Sequence, residues 1–244
     1  MASPRIYCDL RLGPGAQFSL AEDAANHVGK SLRLKTGDGL VVFDGRGGEY
    51  DAVILRMDRG HVDVKTLARR DPPTESPLAA GLVQGLPEAD KMDWILQKAV
   101  ELGVAWVQPV VCDRSVVRLS GERAARREAH WRRVALAACE QSGRNVVPEV
   151  RPTLAFRDWA ARPGAAIRWM LAPGAPEALA AQAAPDAPLE LLVGPEGGLS
   201  EREIDIAGGI GFRPVRLGPR VLRAETAPLA ALAAIQSLWG DLRA

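Results

Sequence analysis

The sequence predicts an α/β chain in two parts, and three features predict it. The first 70 residues carry short β-rich runs parted by turn residues, and a proline-rich stretch interrupts the chain at 71–77. From residue 78 onward apolar runs alternate with helical segments. Strands alternating with helices form a mostly parallel sheet covered on both faces. The expected organisation is a small β-barrel or sandwich domain over residues 1–70, a linker over 71–77 and an α/β domain over 78–244.

Each element has a local reason. GLVVFDG (39–45), YDAVILRM (50–57) and HVDVKTL (61–67) are strands, the first two joined by the glycine-rich turn that a hairpin needs. One short helix is expected around Glu22–Arg33. Asp71-Pro-Pro-Thr-Glu-Ser-Pro77 is polar and holds three prolines, so no regular element crosses it. Beyond it, LAAGLVQ (78–84), WVQPVVC (106–112), IRWMLA (167–172), LELLVG (189–194) and PVRLG (214–218) read as buried strands. Met92, Ile95, Ala99 and Leu102 recur at helical spacing, as do Trp131, Val134, Ala135 and Ala138 in the charged stretch 122–141. The alanine- and proline-rich stretch 172–188 reads as a loop with a short helix.

A chain of 244 residues with 47% hydrophobic and 25% charged side chains can bury a sizeable core, which excludes disordered and fibrous classes. The formal net charge of +1 argues at first against a nucleic-acid partner. That total hides segregation: residues 71–110 sum to −4 and residues 111–151 to +4. Seven arginines lie between Arg114 and Arg133 against Glu122 and Glu128. Only five of the 31 basic residues are lysine, so the positive charge sits on guanidinium groups, which bind phosphate bidentately and stack on bases. An arginine-biased genome is the competing cause.

Cys8, Cys112 and Cys139 are far apart and odd in number, which points to a reducing, cytoplasmic compartment. His27, His61 and His130 make no ligand pattern, so no structural metal is expected. The start MASPRIYCDL has no signal-sequence pattern and the chain has no run of about 18 apolar residues, so neither secretion nor a membrane span is expected.

Four segments stand out for chemistry. In Leu191-Leu192-Val193-Gly194-Pro195-Glu196-Gly197-Gly198-Leu199-Ser200 a buried strand ends in a glycine-rich turn, and Ser200 with Glu203 then forms a capping box that opens a helix. Ligands of parallel sheets bind at such strand ends. The pattern is neither GxGxxG nor a GK[ST] phosphate loop, so nicotinamide and ATP are not supported; a tight turn needing positive φ is the alternative. In Leu217-Gly218-Pro219-Arg220-Val221-Leu222-Arg223-Ala224-Glu225-Thr226-Ala227 a second strand-end loop leads into a helix that runs to about Trp239. Locally, Arg223 and Glu225 could be only an ion pair supporting that turn. KMDWILQKAVELG (91–103) is an amphipathic helix with a glycine C-cap. Ala138-Cys-Glu140-Gln141-Ser142-Gly143-Arg144-Asn145 is a polar turn that closes the arginine-rich helix, and caps and ligand contacts are both open there.

Taken together, VGPEGGLSEREI (193–204), LGPRVLRAETA (217–227), KMDWILQKAVELGV (91–104), ACEQSGRNVVPE (138–149), His27 with SLRLKTGD (31–38), and FDGRGGEY (43–50) make the chain resemble the RsmE family of 16S ribosomal RNA uracil-N3 methyltransferases, in the SPOUT superfamily. The resemblance covers nearly the whole chain in the right order. It implies a PUA-like β domain followed by an α/β domain whose C-terminal part is tied in a deep trefoil knot, a rare exception to ordinary chain topology. It also implies a homodimer with S-adenosylmethionine (S-adenosyl-L-methionine) held in the knot. The cofactor pocket is expected to form from loops after strands ending at Leu171, Val193 and Leu217, through Gly194, Pro195, Glu196, Gly197, Gly218, Val221, Leu222, Thr226 and Ala227. The chain has Ala224 where many relatives have threonine, and a proline at 228.

N3 of uracil holds a weakly acidic proton, so methylation there needs alignment with the methyl group and something to stabilise the anion or accept the proton. The expected roles are Arg223 for negative charge on the uracil and Glu140 or Glu225 as proton acceptor. RNA phosphates are expected to meet Arg33, Lys35, Arg114, Arg118, Arg126 and Arg144. The partners implied are 16S rRNA in the small ribosomal subunit and a second copy of the chain, with no membrane and no metal. The competing readings are a sister enzyme acting on a ribose 2′-hydroxyl or another base, and a non-catalytic RNA-binding ribosome-assembly module.

Overall fold

The computed structural model describes residues 3–58, 60–88, 90–119 and 121–243. Two compact units compose it. The N-terminal unit runs to Glu75 and includes Cys139–Val147. Its strands are β1 (Arg5–Tyr7), β2 (Gln17–Ser19), β3 (Gly39–Phe43), β4 (Glu49–Asp58) and β5 (His61–Arg70); helix α1 (Glu22–Asn26) and a π-helical turn at His27–Ser31 lie between β2 and β3. The sheet order is β1-β3-β4-β5-β2, antiparallel except where β1 pairs with β3.

Alternation in β4 and β5 puts Ala52 and Ile54, Val62 and Val64 into a core shared with Leu40, Val42, Ile6 and Val28, while β3 is buried on both faces. The predicted hairpin and the helix after residue 22 are present, the latter shorter and continued by a π turn. β1 and β2, three residues each, were not foreseen.

The unit is tied to its second segment by polar contacts. Both oxygens of Glu75 are engaged: one accepts the N–H groups of Asn145 and Val146 at 2.8 and 2.9 Å, the other accepts Nε and Nη2 of Arg144 at 3.0 and 2.8 Å. Arg5 adds a close ion pair with Glu49 and donates to Asn145 Oδ1 at 2.8 Å. Arg144 is 6% exposed. It was expected on a phosphate-contacting surface; burial against Glu75 removes it from any exposed surface and makes it a structural residue. The asparagine of the same turn is buried with it.

The second unit comprises residues 76–138 and 148–244. In order, it holds β6 (Ala80–Gly85), α2 (Lys91–Glu101), β7 (Trp106–Val111), α3 (Gly121–Ser142, whose last turn belongs to the N-terminal unit), β8 (Glu149–Val150), β9 (Leu154–Ala155), α4 (Phe156–Ala160), β10 (Ile167–Leu171), a 3₁₀ turn at Leu179–Ala181, β11 (Leu189–Val193), α5 (Glu201–Gly209), β12 (Arg213–Val215) and α6 (Thr226–Trp239). Every strand pairing is parallel, in the order β12-β10-β11-β6-β7-β8, with β9 also on β7.

β6 and β11 are buried along their whole length, the mark of a sheet covered on both faces. On one face Val83, Val110, Met170 and Leu192 pack with Phe156 and Trp159 of α4 and Ala207 of α5. α6 lies on β6 and β11 and packs against α2. The alternating strand–helix reading holds, but the strands at 149–150 and 154–155 and the short helix α4 were missed. The three cysteines are buried and unpaired, and burial raises their thiol pKa values, to about 12 for Cys8 and Cys139. Among the described residues no cluster of His, Cys, Asp and Glu could hold a metal, and no helix is long and apolar enough to cross a membrane.

Candidate active site

Three strands of the parallel sheet, β10, β11 and β12, stand side by side at one edge, so the loops that follow them open at the same end. Their sequences decide what those loops can do. After β11 the chain turns through Gly194-Pro195-Glu196-Gly197-Gly198, with Gly198 at φ 69°. The close approach is to Gly85 at the end of β6: a Cβ there would stand 2.6 Å from Pro195 Cδ. Any larger residue at 85 displaces the loop.

The capping box expected from Ser200 and Glu203 is present. Ser200 Oγ accepts the Glu203 N–H at 3.3 Å, and Glu203 Oε2 accepts the Ser200 N–H at 2.8 Å. Glu203 is buried, and its other oxygen accepts the Asp113 N–H at 2.8 Å, which fastens the segment after β7 to the start of α5. Arg114 continues that link by donating from Nη1 to the Gly197 carbonyl at 3.1 Å.

After β12, Gly218 sits at φ 105°, a conformation that side chains rarely adopt, with open space where a Cβ would be. The loop ends in a turn in which the Arg223 carbonyl accepts the N–H groups of Thr226 and Ala227, both at 2.9 Å. After β10, Ala172 donates its N–H to the Val215 carbonyl at 3.0 Å and holds the third loop beside the second.

Together these loops enclose a cavity of about 860 Å³. Leu171, Val193, Gly194, Pro195, Glu196, Leu217, Gly218, Val221, Leu222 and Ala227, the residues expected at the cofactor pocket, line it. Gly197 and Thr226 flank it without lining it; Gly198 takes the place expected for Gly197, which backs onto Arg114. Arg223 and Glu225 also line the cavity. Glu140 belongs to the N-terminal unit, where its Oε1 accepts the Tyr7 N–H at 3.0 Å and burial raises its pKa.

Among the lining residues that were not foreseen are two groups on helices. Ile204, Asp205 and Gly208 lie on the cavity side of α5. The available signal was an apolar residue and a glycine one helical turn apart, Ile204 and Gly208. The second is Lys91, at the first position of α2. Its ammonium bonds Glu196 Oε1 at 2.7 Å and stands 3.8 Å from Glu225 Oε2.

Glu196 also accepts the Glu88 N–H, at 3.1 and 3.3 Å. Burial acts to raise the Glu196 pKa, but the bonds from Lys91 and from backbone N–H groups outweigh it, and the carboxyl is held below its usual range. The same bond raises the Lys91 pKa and keeps it cationic. Glu225 Oε2 is buried and has no hydrogen-bond partner. A buried acceptor left open costs free energy unless a ligand donor fills it.

Of the residues expected to meet phosphate, Arg33, Lys35, Arg114, Arg118 and Arg126 are exposed. Arg118 donates to the Asp113 carbonyl at 2.9 Å, and Arg126 pairs with Glu122 at 3.0 Å.

A glycine-lined cavity at the ends of parallel strands, beside an arginine and an open carboxylate, fits a group-transfer enzyme that grips an extended polar ligand. Family models agree on the class: residues 74–236 match an RNA methyltransferase domain and residues 20–67 an RNA methyltransferase PUA domain. Fold and site therefore define a two-part RNA methyltransferase. The ribosomal RNA small subunit methyltransferase E of Buchnera aphidicola is 31% identical over 98% of both chains. The crystal structure of a ribosomal RNA small subunit methyltransferase E from Neisseria gonorrhoeae, bound to S-adenosyl methionine, is 37% identical with a TM-score of 0.92, covering 98% of this chain and 99% of that one. A methyltransferase from Legionella pneumophila in complex with the same cofactor is 34% identical with a TM-score of 0.95, covering 99% and 100%. The chain belongs to the ribosomal RNA small subunit methyltransferase E family, the one its motifs resemble.

Proposed function

We propose that this protein transfers the methyl group of S-adenosylmethionine to N3 of a uridine in the 16S rRNA of the small ribosomal subunit. The observation that carries the reading is the 860 Å³ cavity lined at once by two glycine-bearing strand-end loops, Arg223 and the unpartnered oxygen of Glu225. The residues present fit such a cofactor. The bare Cα of Gly218, with open space where a Cβ would be, lets a ligand lie against the backbone, and the lining is largely apolar with charged side chains such as Glu196, Asp205 and Arg223 set into it.

When bound, the cofactor supplies an electrophilic methyl group on a sulfonium. The chain's own residues then have three tasks. Glu196, clamped by Lys91 and the Glu88 N–H, fixes the loop after β11, so the pocket is shaped before ligand arrives. Arg223 faces the cavity and stabilises negative charge as it grows on the uracil ring. Glu225 Oε2 would receive the N3 proton; Lys91 at 3.8 Å holds that carboxylate in place. Because Glu225 lines the cavity, whereas one oxygen of Glu140 already accepts the Tyr7 N–H, Glu225 is the preferred acceptor.

Arg33 and Lys35 in the N-terminal unit, and Arg114, Arg118 and Arg126 in the α/β unit, are assigned to RNA phosphates. Arg114 ties that charge to the cofactor loop through Gly197. The reading carries with it the trefoil knot of the family, built from the loops after β10, β11 and β12, and a cytoplasmic place of action. A homodimer belongs to it too, supported by Trp94, Val221 and Leu242, which are 53, 79 and 53% exposed. The test is incubation with undermethylated small subunits and cofactor carrying a labelled methyl group. Label enters 16S rRNA if the reading holds; no incorporation, together with no cofactor binding by calorimetry, overturns it.

A further inference from the structure

A second cavity in the α/β unit, of about 490 Å³, shares no lining residue with the first. That volume is within the range of about 300–1,000 Å³ typical of small-molecule sites. One wall is cationic: Arg123, Arg126, Arg127 and His130 stand at i, i+3, i+4 and i+7 of α3, a single helix face. The other lining is apolar and includes the half-buried Val117 and Leu119.

The wall is held from behind. Asp93 accepts Trp131 Nε1 at 3.0 Å and bonds His130 Nε2 at 2.7 Å, and the Arg127 guanidinium lies 5.9 Å from the Trp131 ring centre. Arg126 pairs with the highly exposed Glu122 at 3.0 Å; Arg127 pairs with the highly exposed Asp90 at 2.9 Å and stands 4.0 Å from the less exposed Asp93. Such exposed pairs are weak and exchange readily for an anion that offers more acceptors.

We propose that this cavity binds one phosphodiester together with its nucleoside, in a single-stranded stretch of the RNA substrate. The inference rests on the reading of the protein as an RNA-modifying enzyme and adds a subsite to it. Several guanidiniums on one face match the charge and the flat, bidentate geometry of phosphate oxygens. The apolar lining suits a base or ribose, since specific RNA recognition takes unstacked bases into pockets. A bare anion would leave Val117 and Leu119 uncovered.

The test compares wild type with Arg123→Gln/Arg126→Gln and with Val117→Ser/Leu119→Ser, using anisotropy of a labelled single-stranded RNA oligonucleotide across a salt series. For the arginine variant, RNA affinity falls about tenfold, and the slope of log K against log salt drops by about 0.7, as expected for one lost single-strand phosphate contact. S-adenosylmethionine affinity by calorimetry stays at the wild-type value. For the serine variant, RNA binding weakens while competition by inorganic phosphate is unchanged. An unchanged salt slope in the first variant, unchanged RNA affinity in the second, or displacement of RNA by polyglutamate of equal charge at equal concentration each overturns the proposal. Methyl transfer separates the two readings. RNA binding that obeys these rules in a wild-type protein unable to label 16S rRNA sinks the proposed function alone. Labelling by wild type and arginine variant alike, with equal RNA affinity, sinks the subsite alone.

Discussion

Glu75 and Glu225 show two ways of placing a carboxylate. Glu75, in the N-terminal unit, fills both its oxygens with N–H donors from Arg144, Asn145 and Val146. Glu225, in the α/β unit, keeps one buried oxygen without a donor and has Lys91 only at 3.8 Å. The first cluster is saturated and has no capacity left for a ligand; it holds chain segments together. The second is held ready by its neighbours but left open, which is the arrangement that binding and proton transfer require. Saturation separates structural from functional polar clusters here better than charge does.

The comparison can be broken most forcefully at Glu75. Glu75→Ala strips the buried Arg144 guanidinium of its carboxylate and orphans two backbone N–H groups, so urea unfolding should show a loss of about 3 kcal/mol or more. A loss within about 0.5 kcal/mol, the range of an ordinary surface substitution, would mean that the cluster is not structural.

Arg223→Ala should do the reverse. Stability stays within about 0.5 kcal/mol of wild type, because the side chain is exposed. Methyl transfer at saturating cofactor falls about 100-fold, the effect of removing one charge-stabilising donor. Near wild-type turnover would take Arg223 out of the chemistry.

The proton acceptor comes next. Glu225→Gln should lower turnover more than tenfold, within the contribution of a positioned general base, while Glu140→Gln keeps the acceptor for Tyr7 N–H and leaves turnover unchanged. The opposite order would move the base to Glu140. The raised pKa of Glu140, caused by burial, means that its ionised form costs stability above the ordinary carboxylate range, so the glutamine variant loses no stability near neutral pH.

The smallest effect is expected from Glu196. Its pKa is depressed by Lys91 and backbone N–H groups against the opposing effect of burial, so its contribution is fully present above the ordinary glutamate value of about 4.3 and is lost as pH falls through the folded value. Partial exposure screens it. Thermal melts of wild type should therefore decline toward acid more steeply than those of Glu196→Gln. Parallel acid limbs would show that the Lys91 pair does not stabilise the loop.

Local chemistry made much of this legible in the sequence. Ser200 with Glu203 announces a helix start, GLVVF and the glycine turn announce a hairpin, and loops after apolar runs announce strand ends; each depends on residues close in the chain. What escaped depended on distant partners. Arg144 reads as a surface charge until Glu75, 69 residues away, is found against it. Lys91 opens a helix whose apolar spacing speaks only of packing, and its contact with Glu196 is 105 residues removed. β8 and β9 have two residues each, too few for any period to register. Gly197 and Gly198 are alike in sequence, yet Gly198 turns with positive φ and Gly197 backs onto Arg114, a partner 83 residues away.

Arg223 and Glu225 are proposed to serve methyl transfer to N3 of a uridine. The most direct measurement is mass spectrometry of nucleosides from digested 16S rRNA after undermethylated small subunits have reacted with wild type and with Arg223→Ala. The account predicts 3-methyluridine with wild type and a large loss of it with the variant. A 2′-O-methyl nucleoside, or equal 3-methyluridine from both proteins, would contradict it.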